Sequence, residues 1–250
     1  GRTPTAHILK PTISGLDDFD INGHLCLAAA RRLGMLASAT SIRTFGDARV
    51  LVVKRYDRLT RADGTIVRVH QEDLCQATST PAIRKYEVEG GPGLVRVATV
   101  IRDSVYRPLV DVPRVIAWQA FNLVVGNSDG HAKNLSILYA EGGERRLAPF
   151  YDLVSTREYA GLDRKLAMSI GERQNPDEIG HAEWRKLGHA LQIRERVVLD
   201  LVADIAQRSL DVLPAWTEEF RDLHGDPPVL QTLPAAITRR ARRVLRSLAR

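Results

Sequence analysis

The change of hydrophobic period near residue 60 constrains the fold of this chain more than any other feature of its sequence. Before it the signals are those of strands: residues 6–10 read as a short strand closed by Pro11, and 41–45 and 49–53 as two strands joined by a turn at Gly46-Asp47. The run Val50-Leu51-Val52-Val53 is continuously apolar, which suits a buried strand. One helix interrupts them, with Asn22 as its expected cap, apolar positions from Leu25 through Leu33 and a stop at Gly34. Beyond the turn at Asp63-Gly64 the period becomes helical over 71–77, 112–125, 183–191, 194–211 and the terminal segment 237–250. Only two short strand-like pieces, 135–139 and 146–148, break this second part, around the turn Glu141-Gly142-Gly143. The sequence therefore predicts an α+β chain of two lobes: a small mixed α/β lobe over 1–60 and a larger, mainly helical lobe over 61–250.

With 250 residues, 44% hydrophobic and 26% charged, the chain has enough apolar material for such a core. No apolar run reaches about 18 residues and no charged-then-apolar leader opens the sequence, so no membrane association is expected and the cytoplasm is the default compartment. Cys26 and Cys75 each sit in an apolar, helical-looking stretch and read as buried thiols, not as a disulfide or a zinc site. Much of the net charge of +6 lies at the C-terminus. There Ile237, Ala241, Val244, Leu245 and Leu248 form an apolar stripe at helical spacing with arginines on the other faces. The expected outcome is a terminal helix docked on the core with solvated arginines; direct nucleic-acid contact is the alternative.

The chemistry concentrates in residues 127–136, Asn-Ser-Asp-Gly-His-Ala-Lys-Asn-Leu-Ser, which follow an apolar helix and precede a short strand. Asp129 and Asn134 are five apart, the offset that separates the base from the metal-binding asparagine in the catalytic loop of protein kinases. A substrate hydroxyl needs a carboxylate on one side, while an amide oxygen nearby holds Mg²⁺ against the triphosphate of ATP; an irregular loop can aim both inward. A second hard oxygen ligand is then required, and Asp152, just after the strand pair, is the candidate. His131 and Lys133 stand between the catalytic pair, where they could supply positive charge or hydrogen bonds to phosphate oxygens. Lys10, ending the first strand, is placed as kinases place the lysine that grips the nucleotide phosphates. Lys54, Arg55 and Tyr56 lie at the junction of the lobes, where backbone groups could read an adenine edge. Taken singly, each of these is more often structural: Asn-Ser-Asp-Gly is a common turn, and a lysine before proline is usually surface.

In that order the blocks resemble the HipA family of kinases. The resemblance is carried by Thr5-Ala-His-Ile-Leu-Lys10-Pro, Asn22 ahead of Leu27-Ala-Ala-Ala-Arg-Arg-Leu-Gly34, and Val53-Lys-Arg-Tyr-Asp-Arg58. It continues through His70-Gln-Glu-Asp-Leu-Cys-Gln76, Lys85-Tyr-Glu87 with Gly90-Gly-Pro-Gly93, residues 127–136 and residues 147–155. It implies a two-lobed, protein-kinase-like fold, ATP with Mg²⁺, and a serine/threonine-kinase toxin whose protein target in characterised members is an aminoacyl-tRNA synthetase. Carried over by position, it makes Lys10 a phosphate ligand and Asp129 the catalytic aspartate. Asn134 and Asp152 would hold Mg²⁺, His131 and Lys133 would sit by the phosphates, and Lys54 to Tyr56 would form the adenine hinge. It also implies a HipB-like helix-turn-helix antitoxin and, through that complex, operator DNA. Two departures stand out. The chain opens at Gly1, downstream of the family's glycine-containing phosphate loop and its autophosphorylated serine, so it reads as a fragment. The family's glutamate after the asparagine is replaced by Gly23, which leaves Lys10 either less well positioned or paired with another acid such as Asp18 or Asp20. The alternatives to a toxin kinase are a catalytically weak binding module acting as co-repressor with its antitoxin, and a small-molecule phosphotransferase, which shares the same layout.

Overall fold

The computed structural model of the chain describes residues 5–249; the opening four residues and Arg250 of the terminal segment lie outside the described residues. Strand β1 (His7–Pro11) is followed by helix α1 (Phe19–Arg32) and the hairpin of β2 (Thr40–Phe45) and β3 (Ala48–Lys54). The three strands form an antiparallel sheet in the order β1-β3-β2, so the apolar run Val50–Val53 is central, as its composition requires. Lys10 sits opposite Leu51 in this register. A second hairpin, β4 (Arg58–Thr60) with β5 (Ile66–Arg68), leads to β6 (His70–Asp73) and the short helix α2 (Leu74–Ala77). Thr60 pairs with Ile66, so this hairpin spans the expected lobe boundary at 60/61.

Helices α3 (Leu94–Ser104) and α4 (Pro108–Val125) come next, then strands β7 (Ser136–Tyr139) and β8 (Arg145–Leu147). Strand β7 is the middle of a second antiparallel sheet, β6-β7-β8. Helices α5 (His181–Ala190), α6 (Glu195–His224) and α7 (Val229–Leu248) complete the chain. Together these elements give the mixed small lobe and the larger helical lobe that the periodicity predicts.

Four local expectations are corrected. Residues 71–77 are not one helix: 70–73 pair with β7, and Asp73 caps only a single turn, accepting from the Cys75 and Gln76 amides at 2.9 Å. Asn22 is not a cap but lies inside α1, fully buried. Helix α3 escapes the periodicity reading. Finally, α6 runs through Pro214 to His224, and α7 begins eight residues before Ile237, through Pro234. Proline loses one backbone bond and crowds the preceding turn, yet tertiary packing sustains both helices. Ile237, Ala241 and Val244 are buried as the stripe predicts, and Arg240 and Arg243 are not free but pair with Glu158 and Asp177. Cys26 and Cys75 are buried free thiols; burial pushes the Cys26 thiol up to about 12. No helix among the described residues is long and apolar enough to cross a membrane.

The core is continuous from α1 through α4 to α6 and α7, with Leu25, Phe121, Trp216 and Phe220 all in it. Helix α1 is thereby fixed to the helical lobe: the Trp216 indole donates to the Leu25 carbonyl at 3.3 Å. On the same helix His24 is buried, in contact with Thr40 Oγ1 at 2.8 Å and packed on Phe220 and His224. Burial, and secondarily the charge of His224, pushes the His24 imidazole down from 6.5 to about 4. The fold thus favours neutral His24, so its contribution is intact above the unfolded value and is lost as pH falls from 6.5 towards 4. That gap, 6.5 − 4, corresponds to about 3 kcal/mol. Urea unfolding compared near neutrality and at about pH 4.5 should show the loss. His24→Gln should flatten it; an equally steep loss in that variant would assign the acid sensitivity elsewhere.

Candidate active site

The loop after α4 is built from inside. Helix α4 closes at Gly126, whose φ of 79° is left-handed, and a Cβ there would stand 2.6 Å from the Arg240 guanidinium carbon. The chain then turns on Asn127, which is buried: its Oδ1 accepts from the Asp129 amide at 3.1 Å and its Nδ2 donates to Asn122 Oδ1 at 3.0 Å. The Ser128 amide donates to Thr156 Oγ1 at 2.7 Å. At Gly130 the backbone passes so close to α4 that a Cβ would lie 2.8 Å from Asn122 Nδ2. These bonds leave Asp129 as the one carboxylate of the loop and set it half-exposed, facing the cleft between the lobes.

Asp152 is delivered by a different route. After β8 the backbone is clamped to the loop behind α1, with the Phe150 amide on Leu36 O and the Ser38 amide on Phe150 O, both at 2.8 Å. Three residues beyond Asp152, Asn22 grips Ser155 twice: Oδ1 accepts from its amide at 2.8 Å and Nδ2 donates to its carbonyl at 3.0 Å. Between these clamps Asp152 takes a left-handed φ of 57°, a conformation held by its surroundings. The carboxylate meets Asn134 Nδ2 at 3.2 Å through Oδ2, and the Lys10 ammonium donates to Oδ1. The two separated stretches of sequence therefore converge on one cleft, a cavity of about 1060 Å³ also lined by β1, β3 and residues 54–57.

Each remaining expected residue has a definite place. His131 is buried, its Nε2 is 3.8 Å from Asp129 Oδ1, and burial holds its imidazole below the usual histidine range. Its amide donates to Asn134 Oδ1 at 3.1 Å, which fixes the asparagine. Lys133 already has a counter-charge, Asp73 Oδ2 at 2.7 Å, where Asp73 also lines the cleft. Lys54, Arg55 and Tyr56 line the cleft at the lobe junction, but two of their amides are engaged: Lys54 on Ala39 O at 2.8 Å and Arg55 on Ala6 O at 2.9 Å. The Tyr56 ring stacks on Tyr151 at 5.8 Å. Asp18 and Asp20 do not compensate for Gly23: both bind Arg49, at 2.7 and 2.6 Å, and Lys10 turns to Asp152 instead.

The residue that the motif reading passes over is Tyr86. Its hydroxyl donates to Asp129 Oδ1 at 2.6 Å, its ring packs edge-on against His131, and Lys85 Nζ stands 4.0 Å from the same carboxylate oxygen. The pair lies in Lys85-Tyr86-Glu87, a block that carries the family resemblance without an assigned role. The hydroxyl leaves Asp129 Oδ2 free for a second donor. Tyr86→Phe removes a hydrogen bond to a charged group, and should slow any reaction based on Asp129 by about tenfold without affecting nucleotide affinity. Steady-state rates and nucleotide titration of the variant check this, and an unchanged rate would make Tyr86 a packing residue only.

The donors suit a hard divalent cation. Asp152 Oδ2 accepts from Asn134 Nδ2 at 3.2 Å, so the side chains that would supply a carboxylate and an amide oxygen are neighbours, and the Lys10 ammonium shows that positive charge is already drawn to Asp152 Oδ1.

Known proteins align with this chain over most of its length. A profile of the HipA-like C-terminal domain matches residues 1–213. The relative named "Putative kinase Y4mE", from Sinorhizobium fredii, is 36% identical over 98% of this chain and 58% of its own length. The "Serine/threonine-protein kinase toxin HipA" of Shewanella oneidensis is 28% identical over 83% of this chain and 50% of its own. The chain thus spans about half the length of these curated relatives. Among solved structures, the complex of Shewanella oneidensis HipA with HipB and operator DNA superposes with a TM-score of 0.84 at 24% identity, covering 96% of this chain and 59% of that one. The Helicobacter pylori proinflammatory kinase CtkA gives 0.51 at 13% identity, over 95% and 90%. The expected kinase-like fold is therefore the observed one.

Proposed function

The chain belongs to the HipA-like C-terminal domain family, and from that premise we propose that it carries the catalytic site of an ATP-dependent serine/threonine kinase acting on a protein. The observation that carries this reading is the convergence of Asp129, Asp152 and Lys10 on one cleft large enough for a nucleotide, with Asn134 bonded to Asp152 beside it.

Asp129 accepts the proton of the substrate hydroxyl while that oxygen bonds to the γ-phosphorus and the bond from phosphorus to the β–γ bridging oxygen breaks, releasing ADP. Tyr86 and Lys85 steady the carboxylate during this. Asn134 and Asp152 would hold Mg²⁺, which neutralises charge on the phosphates when bound. Lys10 supplies a mobile cation: exposed to roughly the same degree as its partner, its ammonium can leave Asp152 for a phosphate oxygen. The lobe junction at 54–56 holds the base, through backbone groups not already bonded to Ala39 and Ala6.

A protein target, in the family an aminoacyl-tRNA synthetase, and a HipB-like helix-turn-helix antitoxin with operator DNA are the partners this reading takes from its relatives. The reading is tested by incubating the full-length protein that contains this chain with γ-labelled ATP and Mg²⁺, alone and with synthetases. Label on protein supports it. The second reading, a binding module without catalysis, is favoured by Gly23, whose Cβ position faces Leu51 at 3.2 Å and leaves Lys10 with no acid from α1. Calorimetry showing no Mg-ATP binding by the full-length protein would favour that module.

A further inference from the structure

Sharing no lining residue with the cleft, a second cavity of about 250 Å³ lies between α7 and the segment following Asp152, and its walls are unusually basic. Arg239, Arg240 and Arg243 enter it from α7, Arg157 and Arg164 from the segment, and Pro176 and Ile179 close one side. Two carboxylates answer these five guanidinium groups, Glu158 on Arg240 and Asp177 shared by Arg243 and Arg157, so three positive charges are left over. Arg240 is structurally committed, bonded also to Val125 O at 2.8 Å. Arg157 is not: its side chain is only 12% exposed, its one carboxylate is 3.8 Å away, and its Nε is buried with no partner among the described residues. Arg164 and Arg239 make no ion pair among the described residues and are exposed at the cavity.

Like charges gathered around a small cavity, one of them nearly buried and short of hydrogen bonds, cost free energy unless an anion joins them. We propose that this cavity is a binding site for a phosphate dianion, free or as a monoester, held by Arg157, Arg164, Arg239 and Arg243. A guanidinium matches phosphate oxygens in its planar fork, and four donors converging from two elements match a tetrahedral anion better than a track of nucleic-acid phosphates, which needs cations in a line. The bound anion ties the segment after Asp152 to α7, and through the Arg157 amide on Gly126 O at 3.1 Å it also supports the start of the Asp129 loop. The site stands independently of the proposed kinase reaction.

Calorimetry on the full-length protein, with the cleft filled by a non-hydrolysable ATP analogue and ionic strength held constant, tests this with inorganic phosphate and with a phosphoserine peptide as titrants. Both should bind if the site takes monoesters; phosphate alone would restrict it to the free ion. Arg164→Gln and Arg239→Gln should each weaken binding by about tenfold or more. Arg242→Gln makes the same charge change on α7 outside the cavity and should bind as the wild type does. Thermal unfolding of each variant without phosphate verifies that it is folded. No binding by the wild type, or equal losses in all three variants, would overturn the assignment. So would binding of a duplex oligonucleotide without binding of phosphate, which would make this face a nucleic-acid surface.

Discussion

Asp129→Asn is expected to lower phosphoryl transfer by a factor of about 10²–10⁴ while leaving the unfolding midpoint where it was. The two halves of that expectation rest on different observations. The side chain is 45% exposed and makes no bond that holds the loop together; the loop is held by Asn127, Gly126 and Ser128 behind it. An amide in its place still accepts from Tyr86, so geometry survives, but an amide oxygen is too weak a base to take the proton of a hydroxyl. Single-turnover transfer from γ-labelled ATP, with urea unfolding of the same preparation, reads both halves. A variant that retains the wild-type rate would remove Asp129 as the base, whatever the fate of the metal site. A variant that loses stability as well would show the loop to depend on the carboxylate.

That Asp129, Asn134 and Asp152 would come near one another is legible in the sequence because the signals are local. Two lie five residues apart in one irregular loop, and the third follows the two short strand-like pieces that break the helical period of the second part. Tyr86 is not legible in this way: it reaches Asp129 across 43 residues, and nothing in Lys85-Tyr86-Glu87 announces which carboxylate it will meet. The same limit explains Asp18 and Asp20, which are near Lys10 in sequence but are claimed by Arg49 on β3. It explains residues 71–77 too, where pairing with β7 overrides helical period for half the segment. The helix ends fail for another reason. Pro214 and Pro234, just outside the expected ranges, each sit within a long amphipathic helix whose buried face, from Val198 to Phe220 in one and Leu230 to Val244 in the other, outweighs the loss of one backbone bond.

The placement of Asp152 rests on a charge that the sequence conceals inside an apolar helix. Asp111 of α4 is fully buried, and it accepts from Arg114 at 2.7 Å and from Arg146 and the Leu147 amide at 3.1 Å each. Arg114 in turn donates to the carbonyls of Leu147 and Ala148, at 3.1 and 3.2 Å, and lies over the Phe150 ring. The end of β8 is thus bonded to α4 on both its amide and its carbonyls, two residues before Phe150 enters its clamp and four before Asp152. Burial pulls the Arg114 guanidinium below its usual range, and the contact with Asp111 opposes that pull. Asp111→Ala would leave that guanidinium without its counter-charge and the Leu147 amide without an acceptor, at a cost of about 3–5 kcal/mol. Urea unfolding should register the loss. Phosphoryl transfer measured well below the new midpoint should fall as well, because the strand that aims Asp152 has lost its tether. Exchanging both partners for apolar residues, Asp111→Leu with Arg114→Met, should recover much of the stability, since the ion pair's worth lies largely in not leaving one charge buried alone. It should not recover transfer, because the two carbonyls would still lack the Arg114 donors. Full activity in the double variant would mean that β8 is aimed by packing alone.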